Sequence, residues 1–241
     1  MLDSHIHIGQ FKEEYYNYEK LFGVIFNSNK IDRIIYSSTS CCLDYIKYNS
    51  IYIEIYEILK VYPINIALPL FWMIPNFINQ GLNINTIMSE LPYGGFKLHP
   101  YINKWDFEKD IKQNELLHEI FDYAEKNKIH ILIHTGESYI DRPNRFEKYF
   151  SEYNNVKIIL AHCRPSNETI KLMKKYDNIY GDTAFTSSES IKEIKLAGYY
   201  DRLIFGTDFP ITHYYNKDKN ISLEDQYKID IKYAWETDIK F

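Results

Sequence analysis

Two histidines, His5 and His7, lie two residues apart in the apolar run at residues 2–7. On a β-strand, side chains at positions i and i+2 point to the same face about 7 Å apart, so both imidazoles can bind one metal ion. On a helix the same spacing would turn the two rings apart. Taken alone, such a pair is more often two ordinary polar residues, so its meaning depends on the rest of the chain.

Three later apolar runs each end in a side chain that can bind a metal ion or transfer a proton. Residues 129–133 precede His134, residues 156–161 precede His162, and residues 203–207 precede Asp208. Imidazole and carboxylate groups are ligands of zinc, and both also act as general acids and bases. The repetition of this pattern favours a single site assembled from several strand ends.

Length and charge limit the classes of function. The 241 residues, 45% of them hydrophobic, suffice for a buried core. The net charge of -5 and the mixing of lysine with acidic residues predict no nucleic-acid partner. No apolar stretch approaches the roughly 20 residues of a membrane span, and the early histidine pair leaves no room for a cleaved signal peptide. We expect a cytoplasmic protein with no membrane partner, and a homodimer remains open.

Cysteine usage agrees with that compartment. Cys41 and Cys42 are adjacent and no C-x-x-C motif is present, so the three cysteines predict no disulfide framework. Cys163 directly follows His162, and strand alternation points it away from the site. For this residue we favour a small buried side chain over a nucleophile.

Short apolar strands alternate with helical patterns along the whole chain. The predicted strands lie at residues 2–7, 33–37, 64–71, 96–99, 129–134, 156–161, 178–182 and 203–207. The predicted helices lie at residues 11–30, 43–61, 77–91, 111–127, 142–153, 166–176, 187–197 and 221–236. Continuous apolar strands such as 129–133 are typical of a parallel sheet that is covered on both faces.

Eight such units predict an α/β protein, a slightly distorted (β/α)8 barrel with short loops, as a single domain over residues 1–241. A doubly wound open sheet is the alternative, but the G-x-G-x-x-G or Walker loop that would support it is absent. In a parallel barrel the carboxyl ends of all strands open on one face. Chemically competent side chains follow or end the predicted strands, namely His5, His7, Lys97, His99, His134, His162 and Asp208.

This constellation resembles the amidohydrolase superfamily, and within it the amidohydrolase-2 group of TIM-barrel metal-dependent hydrolases and decarboxylases. The resemblance rests on six short motifs in order: DSHIHIG at 3–9, GFKLHP at 95–100, IHTG at 133–136, LAH at 160–162, GDT at 181–183 and FGTDFP at 205–210. Each motif is weak alone. Together, their order and spacing extend the resemblance over almost the whole chain.

The resemblance implies that His5, His7 and His134 bind one divalent metal ion and that Asp208 binds this ion or the attacking water. Three imidazoles and a carboxylate suit zinc first, with manganese or iron as substitutes. His162 would polarise the substrate, move a proton or bind a second metal ion. For His134 or His162 considered alone, a hydrogen-bonded core histidine is the simpler interpretation.

Three further residues are expected to contact the substrate: Lys97, His99 and Arg164. Some superfamily members carry a carboxylated lysine on strand 4 that bridges two metal ions. The motif around Lys97 resembles the one-metal group, so we expect a free amine that pairs with Asp182, Glu137 or a substrate anion. Arg164 replaces a glycine of many relatives and suits a carboxylate or phosphate of the substrate, whereas a solvated loop arginine is the plain alternative.

These residues predict metal-assisted hydrolysis of an amide, lactone or ester bond in a small molecule. A zinc ion lowers the pKa of water to about 7, and Asp208 would accept the proton and pass it to the leaving group. The metal and His162 would stabilise the oxyanion. Two alternatives stay open: a non-oxidative decarboxylase of a small unsaturated or aromatic acid, and a metal-stabilised ligand-binding barrel without turnover.

Overall fold

The computed structural model describes residues 1–43, 45–136 and 138–236 and contains one nine-stranded sheet. Its strands are β1 (Leu2–Phe11), β2 (Glu14–Tyr16), β3 (Arg33–Ser38), β4 (Ala67–Trp72), β5 (Gly95–Leu98), β6 (His130–His134), β7 (Ile158–Ala161), β8 (Ile179–Asp182) and β9 (Leu203–Ile204). The short β2 forms an antiparallel hairpin with β1. The other strands are parallel and neighbour each other in chain order from β1 to β9.

A helix lies between each parallel strand and the next, as parallel connections require, and two more helices follow the last strand. They are α1 (Tyr18–Asn27), α2 (Tyr48–Leu59), α3 (Ile84–Glu90), α4 (Ile111–Asn127), α5 (Glu147–Glu152), α6 (Ser166–Lys175), α7 (Ser188–Leu196), α8 (Ile211–Asn216) and α9 (Leu223–Glu236). In α4 the buried side chains recur at three-and-four spacing, which is the pattern that predicted the helix: Leu116, Leu117, Ile120, Phe121 and Ala124. Among the described residues, no helix is both long and apolar enough to cross a membrane.

Alternation along the strands separates two apolar layers. Leu132 belongs to a small cluster with Ile35, Leu70, Ile159 and Ala161 from neighbouring strands. Its own neighbours along β6 belong instead to the larger core that includes the helices. Lys97 is in register with Leu132, and His134 lies two residues beyond it, so both polar side chains share the inner face.

Backbone hydrogen bonds between β1 and residues 205–209 close the sheet into a barrel. The N–H of Asp208 donates to the carbonyl oxygen of His5 at 2.8 Å, and the N–H of His7 donates to the carbonyl oxygen of Phe209 at 2.8 Å. Ile6 and Phe209 form a parallel bridge. The predicted (β/α)8 barrel is therefore confirmed, and this closing seam carries three of the predicted site residues.

Asp3 reinforces the seam from inside the protein. Its side chain is fully buried, and its two carboxylate oxygens accept hydrogen bonds from the Thr207 N–H at 3.1 Å, the Thr207 hydroxyl at 2.8 Å and the Tyr227 hydroxyl at 3.0 Å. Burial raises the pKa of Asp3 to about 7 despite these hydrogen bonds. Asp3 thus links β1, the seam and α9.

Several predicted elements have different bounds. For example, the strand predicted at 64–71 lies at Ala67–Trp72, and the helix predicted at 43–61 lies at Tyr48–Leu59. The segment expected as a helix over 11–30 first forms β2, because β1 continues to Phe11 and the chain turns at Lys12, whose φ is 52°. Asn17 then caps α1 by accepting a hydrogen bond from the Glu19 N–H. Within 77–91 the helix begins only at Ile84, and the last strand leaves the ladder after residue 204 to form the seam. Residues 237–241 of the predicted single domain lie outside the described residues.

We predict that Asp3→Ala lowers the free energy of unfolding by about 3 kcal/mol, because several buried donors lose their acceptor. Asp3→Asn keeps one acceptor oxygen and is expected to lose less. Urea unfolding followed by circular dichroism, with a chelator present so that no metal contributes, measures both changes. An Asp3→Ala variant as stable as the wild type would contradict the proposed closing role.

Candidate metal centre and substrate cavity

The carboxyl ends of the strands open into a cavity of about 440 Å³. The predicted site residues that line it are His7, Lys97, His99, His134, His162, Arg164 and Asp208. His5 lies just beneath them and is 1% exposed. The structure therefore gathers all the predicted site residues at one end of the barrel.

Three side chains form a metal-binding geometry at the seam, which we call the donor triad: His5, His7 and Asp208. The Nε2 atoms of the two histidines are 3.1 Å apart. Asp208 Oδ1 lies 3.2 Å from His5 Nε2 and 2.8 Å from His7 Nε2. Within the part of the chain that the structure describes, this is the group whose ligand atoms all lie within 4.8 Å of one another.

The two triad rings differ in how their hydrogen-bond partners place the ring proton. His5 Nδ1 lies 2.7 Å from Asp182 Oδ2, and a carboxylate only accepts, so Nδ1 carries the proton and Nε2 presents a lone pair. His7 Nδ1 lies 3.1 Å from the Ser37 hydroxyl, which can donate, and 3.4 Å from the Ser37 carbonyl oxygen, which only accepts, while His7 Nε2 lies 2.8 Å from Asp208 Oδ1. Two imidazole nitrogens and a carboxylate oxygen that converge in this way fit a divalent metal ion, which would displace any proton on His7 Nε2.

Burial and neighbouring charges set the protonation of His5 and Asp208. Burial lowers the pKa of His5 well below its ordinary value, and the nearby Lys97 charge lowers it further. Burial alone would raise the pKa of Asp208, but His5 and His7 outweigh it and leave this pKa well below its usual range. The site accordingly combines a neutral His5 imidazole with an ionised Asp208 carboxylate, as metal binding needs.

Lys97 lies against the triad rather than free in the cavity. Its side chain is 1% exposed, and its Nζ is 2.9 Å from His5 Nε2. Burial lowers the pKa of Lys97 to about 8, although the charges of Asp208 and Asp182 act in the opposite direction. Of the predicted partners of Lys97, Glu137 lies outside the described residues, and Asp182 uses its Oδ2 on His5 instead.

His134 and His162 form a second pair of histidines, which lines the same cavity as the donor triad. His162 Nδ1 donates to the Ala184 carbonyl oxygen at 2.7 Å, so its Nε2 is free to accept. His134 Nδ1 lies 3.0 Å from that Nε2. His134 Nε2 is 3.7 Å from Asp141 Oδ2. Among the described residues the triad grouping does not include His134, so its predicted role as a metal ligand stays a prediction.

His99 belongs to a stack of three rings along the cavity. Its ring lies 3.6 Å from that of His134 at an interplanar angle of 16° and 5.6 Å from that of Trp72 at 12°. His99 lines the cavity, as its predicted contact with the substrate requires. The stack fixes the orientation of the His134 ring at the same time.

Asp182 was expected from the sequence only as one alternative partner of Lys97, whereas its hydrogen bonds in the structure go to His5 and His162. Its side chain is fully buried. Its Oδ2 accepts a hydrogen bond from His5 Nδ1 at 2.7 Å, and its Oδ1 accepts one from the His162 N–H at 2.9 Å. The second bond restrains a left-handed turn, since φ is 68° at His162 and 48° at Cys163. The motif at 181–183 marked Asp182 as a strand-end carboxylate, but a strand-end position alone does not show which side chains it contacts. Cys163 is buried, as favoured.

The amidohydrolase family model Amidohydro_2 matches residues 88–231, more than half of the chain. The chain belongs to this family. It is an amidohydrolase-like enzyme, and the family match includes both the His134–His162 pair and Asp208. No curated protein matches the chain.

Solved structures share the fold of this amidohydrolase at low sequence identity. A probable 2-pyrone-4,6-dicarboxylic acid hydrolase from Acinetobacter baumannii with citric acid bound is 12% identical with a TM-score of 0.67, over 97% of this chain and 92% of that chain. An amidohydrolase from Burkholderia multivorans with bound zinc is 11% identical with a TM-score of 0.57, over 98% and 91%. A 4-oxalomesaconate hydratase from Rhodopseudomonas palustris is 13% identical with a TM-score of 0.54, over 98% and 94%.

We predict that Asp182→Asn weakens zinc binding by about 10–100-fold, because the amide cannot hold both His5 and the His162 turn as the carboxylate does. Competition with a chromophoric chelator measures the zinc dissociation constant. Asp177→Asn, at an exposed aspartate that pairs with Arg202 just before the same strand, is the matched control. Unchanged zinc affinity in Asp182→Asn would show that Asp182 does not support the triad.

Proposed function

We propose that this protein is a hydrolase that uses a divalent metal ion to activate water and cleaves an amide, lactone or ester bond of a small molecule. The main support is the convergence of His5, His7 and Asp208 at the mouth of the barrel, with both Nε2 atoms within 3.2 Å of Asp208 Oδ1. Membership of the amidohydrolase family agrees with this chemistry. The cavity of about 440 Å³ suits a small substrate.

His5 and His7 would hold the metal through Nε2 and Asp208 through Oδ1, with His134 proposed as a third imidazole ligand. When bound, the metal polarises the scissile carbonyl and lowers the pKa of water to about 7. Asp208 is ionised, so it can accept the proton of the attacking water and return it to the leaving group. Burial of all these groups strengthens their interaction with developing charge.

His162 is proposed as the second catalytic residue. Because Nδ1 is engaged with the Ala184 carbonyl oxygen, Nε2 is the atom that accepts or returns a proton. His99 and Arg164 line the same cavity and are proposed to contact the substrate. Lys97, which is buried against His5, is proposed to orient the substrate from the floor of the site as a free amine.

We propose one zinc ion per chain, with manganese or iron as substitutes, because imidazole and carboxylate donors suit all three. One structural neighbour contains zinc, which agrees with this choice. We also propose a cytoplasmic location and a small-molecule partner, with no nucleic acid and no membrane, from the charge and composition of the chain. A homodimer is compatible with this proposal.

Non-oxidative decarboxylation of a small unsaturated or aromatic acid is the second candidate reaction. The observation that favours it is the pair of cationic side chains at the cavity, Lys97 and Arg164, which would attract an acid. Release of carbon dioxide, as opposed to consumption of water, distinguishes the two reactions.

We predict that the purified protein contains about one zinc-like ion per chain and that His5→Ala combined with His7→Ala removes it, because two of the triad donors are lost. Inductively coupled plasma mass spectrometry measures the stoichiometry. His118→Ala, at a partly exposed histidine bonded to the Tyr153 hydroxyl, is the control and should keep the metal. Undiminished metal in the double variant would rule out the triad as the metal site.

We predict that Asp208→Asn lowers kcat by at least ~100-fold on any substrate found among amides, lactones and esters, because the amide cannot accept the proton. Metal content should fall less, since imidazole ligands remain. Asp201→Asn, at an exposed residue before β9, is the control. Near-wild-type turnover by Asp208→Asn would contradict the proposed mechanism.

A further inference from the structure

Arg164 differs from the other arginines of the chain in having no carboxylate partner among the residues that the structure describes. The sequence has five arginines, and four of them form ion pairs: Arg33 with Asp32, Arg142 with Glu168, Arg145 with Glu108 and Arg202 with Asp177. The guanidinium of Arg164 forms no ion pair with any residue that the structure describes. Its Nε is buried and without a hydrogen-bond partner there. A buried unpaired donor of this kind is costly unless a ligand satisfies it.

The backbone holds Arg164 at the cavity wall. Its N–H donates to the Thr135 hydroxyl at 3.0 Å, which ties it to the chain just beyond β6. The left-handed turn at His162 and Cys163 brings the chain to this point directly after β7. Arg164 therefore lines the cavity together with His134 and His162, on the side formed by β6 and β7.

The other charged groups of the cavity are already engaged. Among the described residues that line it, these are Lys97, Asp141 and Asp208. Lys97 contacts His5, and Asp208 belongs to the donor triad. Asp141 accepts a hydrogen bond from the Ser138 hydroxyl at 2.6 Å. Of these described cavity-lining groups, Arg164 is thus the cation on the β6–β7 side that can bind an anionic ligand away from the donor triad. Lys97 lies on the triad side, where it contacts His5.

The remaining walls are largely apolar. Trp72, Phe11, Phe185 and Tyr215 line the same cavity and offer no charge. Such walls suit a small ligand with an apolar ring or unsaturated carbon chain whose charge is confined to one end. The planar guanidinium suits a carboxylate, which it can bind through two parallel hydrogen bonds. A phosphate dianion calls for more positive charge than this one unpaired arginine supplies.

We propose that Arg164 binds a carboxylate of the substrate and that the substrate is therefore a small organic acid with an apolar ring or unsaturated body. This inference rests on the proposed function, because it places the reacting bond at the donor triad and the carboxylate on the β6–β7 side. It goes further by assigning the substrate class and the residue that selects it.

Calorimetric titration of the zinc-loaded protein with benzoate and isophthalate tests the proposal. One carboxylate of either probe can occupy the triad region, but only isophthalate offers a second one to Arg164. We expect isophthalate to bind about 10-fold or more tightly than benzoate, the scale of a charge-assisted pair of hydrogen bonds. Arg164→Gln should abolish this preference. Arg164→Lys should keep part of it, because lysine retains the positive charge but cannot form the two parallel hydrogen bonds of a guanidinium.

Arg33→Gln is the matched control, since Arg33 begins β3 at the opposite end of the barrel and its side chain is 59% exposed. It should leave the preference unchanged. A wild type that binds both probes equally, or an Arg164→Gln variant that keeps the preference, overturns the proposal. Tighter binding of 3-phosphonobenzoate than of isophthalate overturns the choice of carboxylate. If Arg164→Gln does not fold, an Arg164→Lys variant that keeps the full wild-type preference overturns the proposal, and a reduced preference supports it.

The same titrations on metal-free protein separate this proposal from the proposed function. If zinc neither binds nor alters benzoate affinity, the metal-dependent function fails. The Arg164-dependent preference for isophthalate can persist in that case, and the carboxylate site then stands without the metal. If zinc binds at the triad but the preference is absent, the proposed function stands and the carboxylate site fails.

Discussion

The hydrogen bonds that join β1 to residues 205–209 are the constraint on which the rest of the structure depends. They close the barrel, and they also bring Asp208 to His5 and His7, so the closing seam and the donor triad are one piece of structure. Asp3 secures the seam from the core side. Because metal binding acts only on the closed arrangement, an ion at the triad would stabilise the folded barrel as well as supply chemistry.

Burial determines how the site works. Taking His5 out of water disfavours its charged form, which leaves a lone pair on its Nε2. Asp182 then fixes which nitrogen of His5 is free and, through the His162 N–H, ties the triad to the strand on the other side of the cavity. A single buried carboxylate therefore aligns both halves of the site.

On our proposals the two sides of the cavity have different roles. The seam between β1 and residues 205–209 holds the metal and the proton acceptor Asp208. The side formed by β6 and β7 holds His162 and Arg164, and Arg164 would bind the carboxylate of the substrate. On this view the metal site and the carboxylate-binding site lie on different sides of one cavity that suits a small molecule. A substitution at Arg164 could then change the substrate preference without disturbing the triad.

The sequence by itself determined the alternation of strands and helices, the barrel and the strand-end positions of the site residues, because apolar periodicity and the i, i+2 spacing of His5 and His7 are local properties of the chain. It did not reveal the β2 hairpin, which depends on one left-handed residue at Lys12. Only the tertiary structure decided which polar groups meet: Asp182 with His5, and His134 with His162. It also left the Arg164 Nε without a hydrogen-bond partner among the described residues. The reason is physical, since such pairings depend on strand register and barrel closure, which bring together residues far apart in the chain.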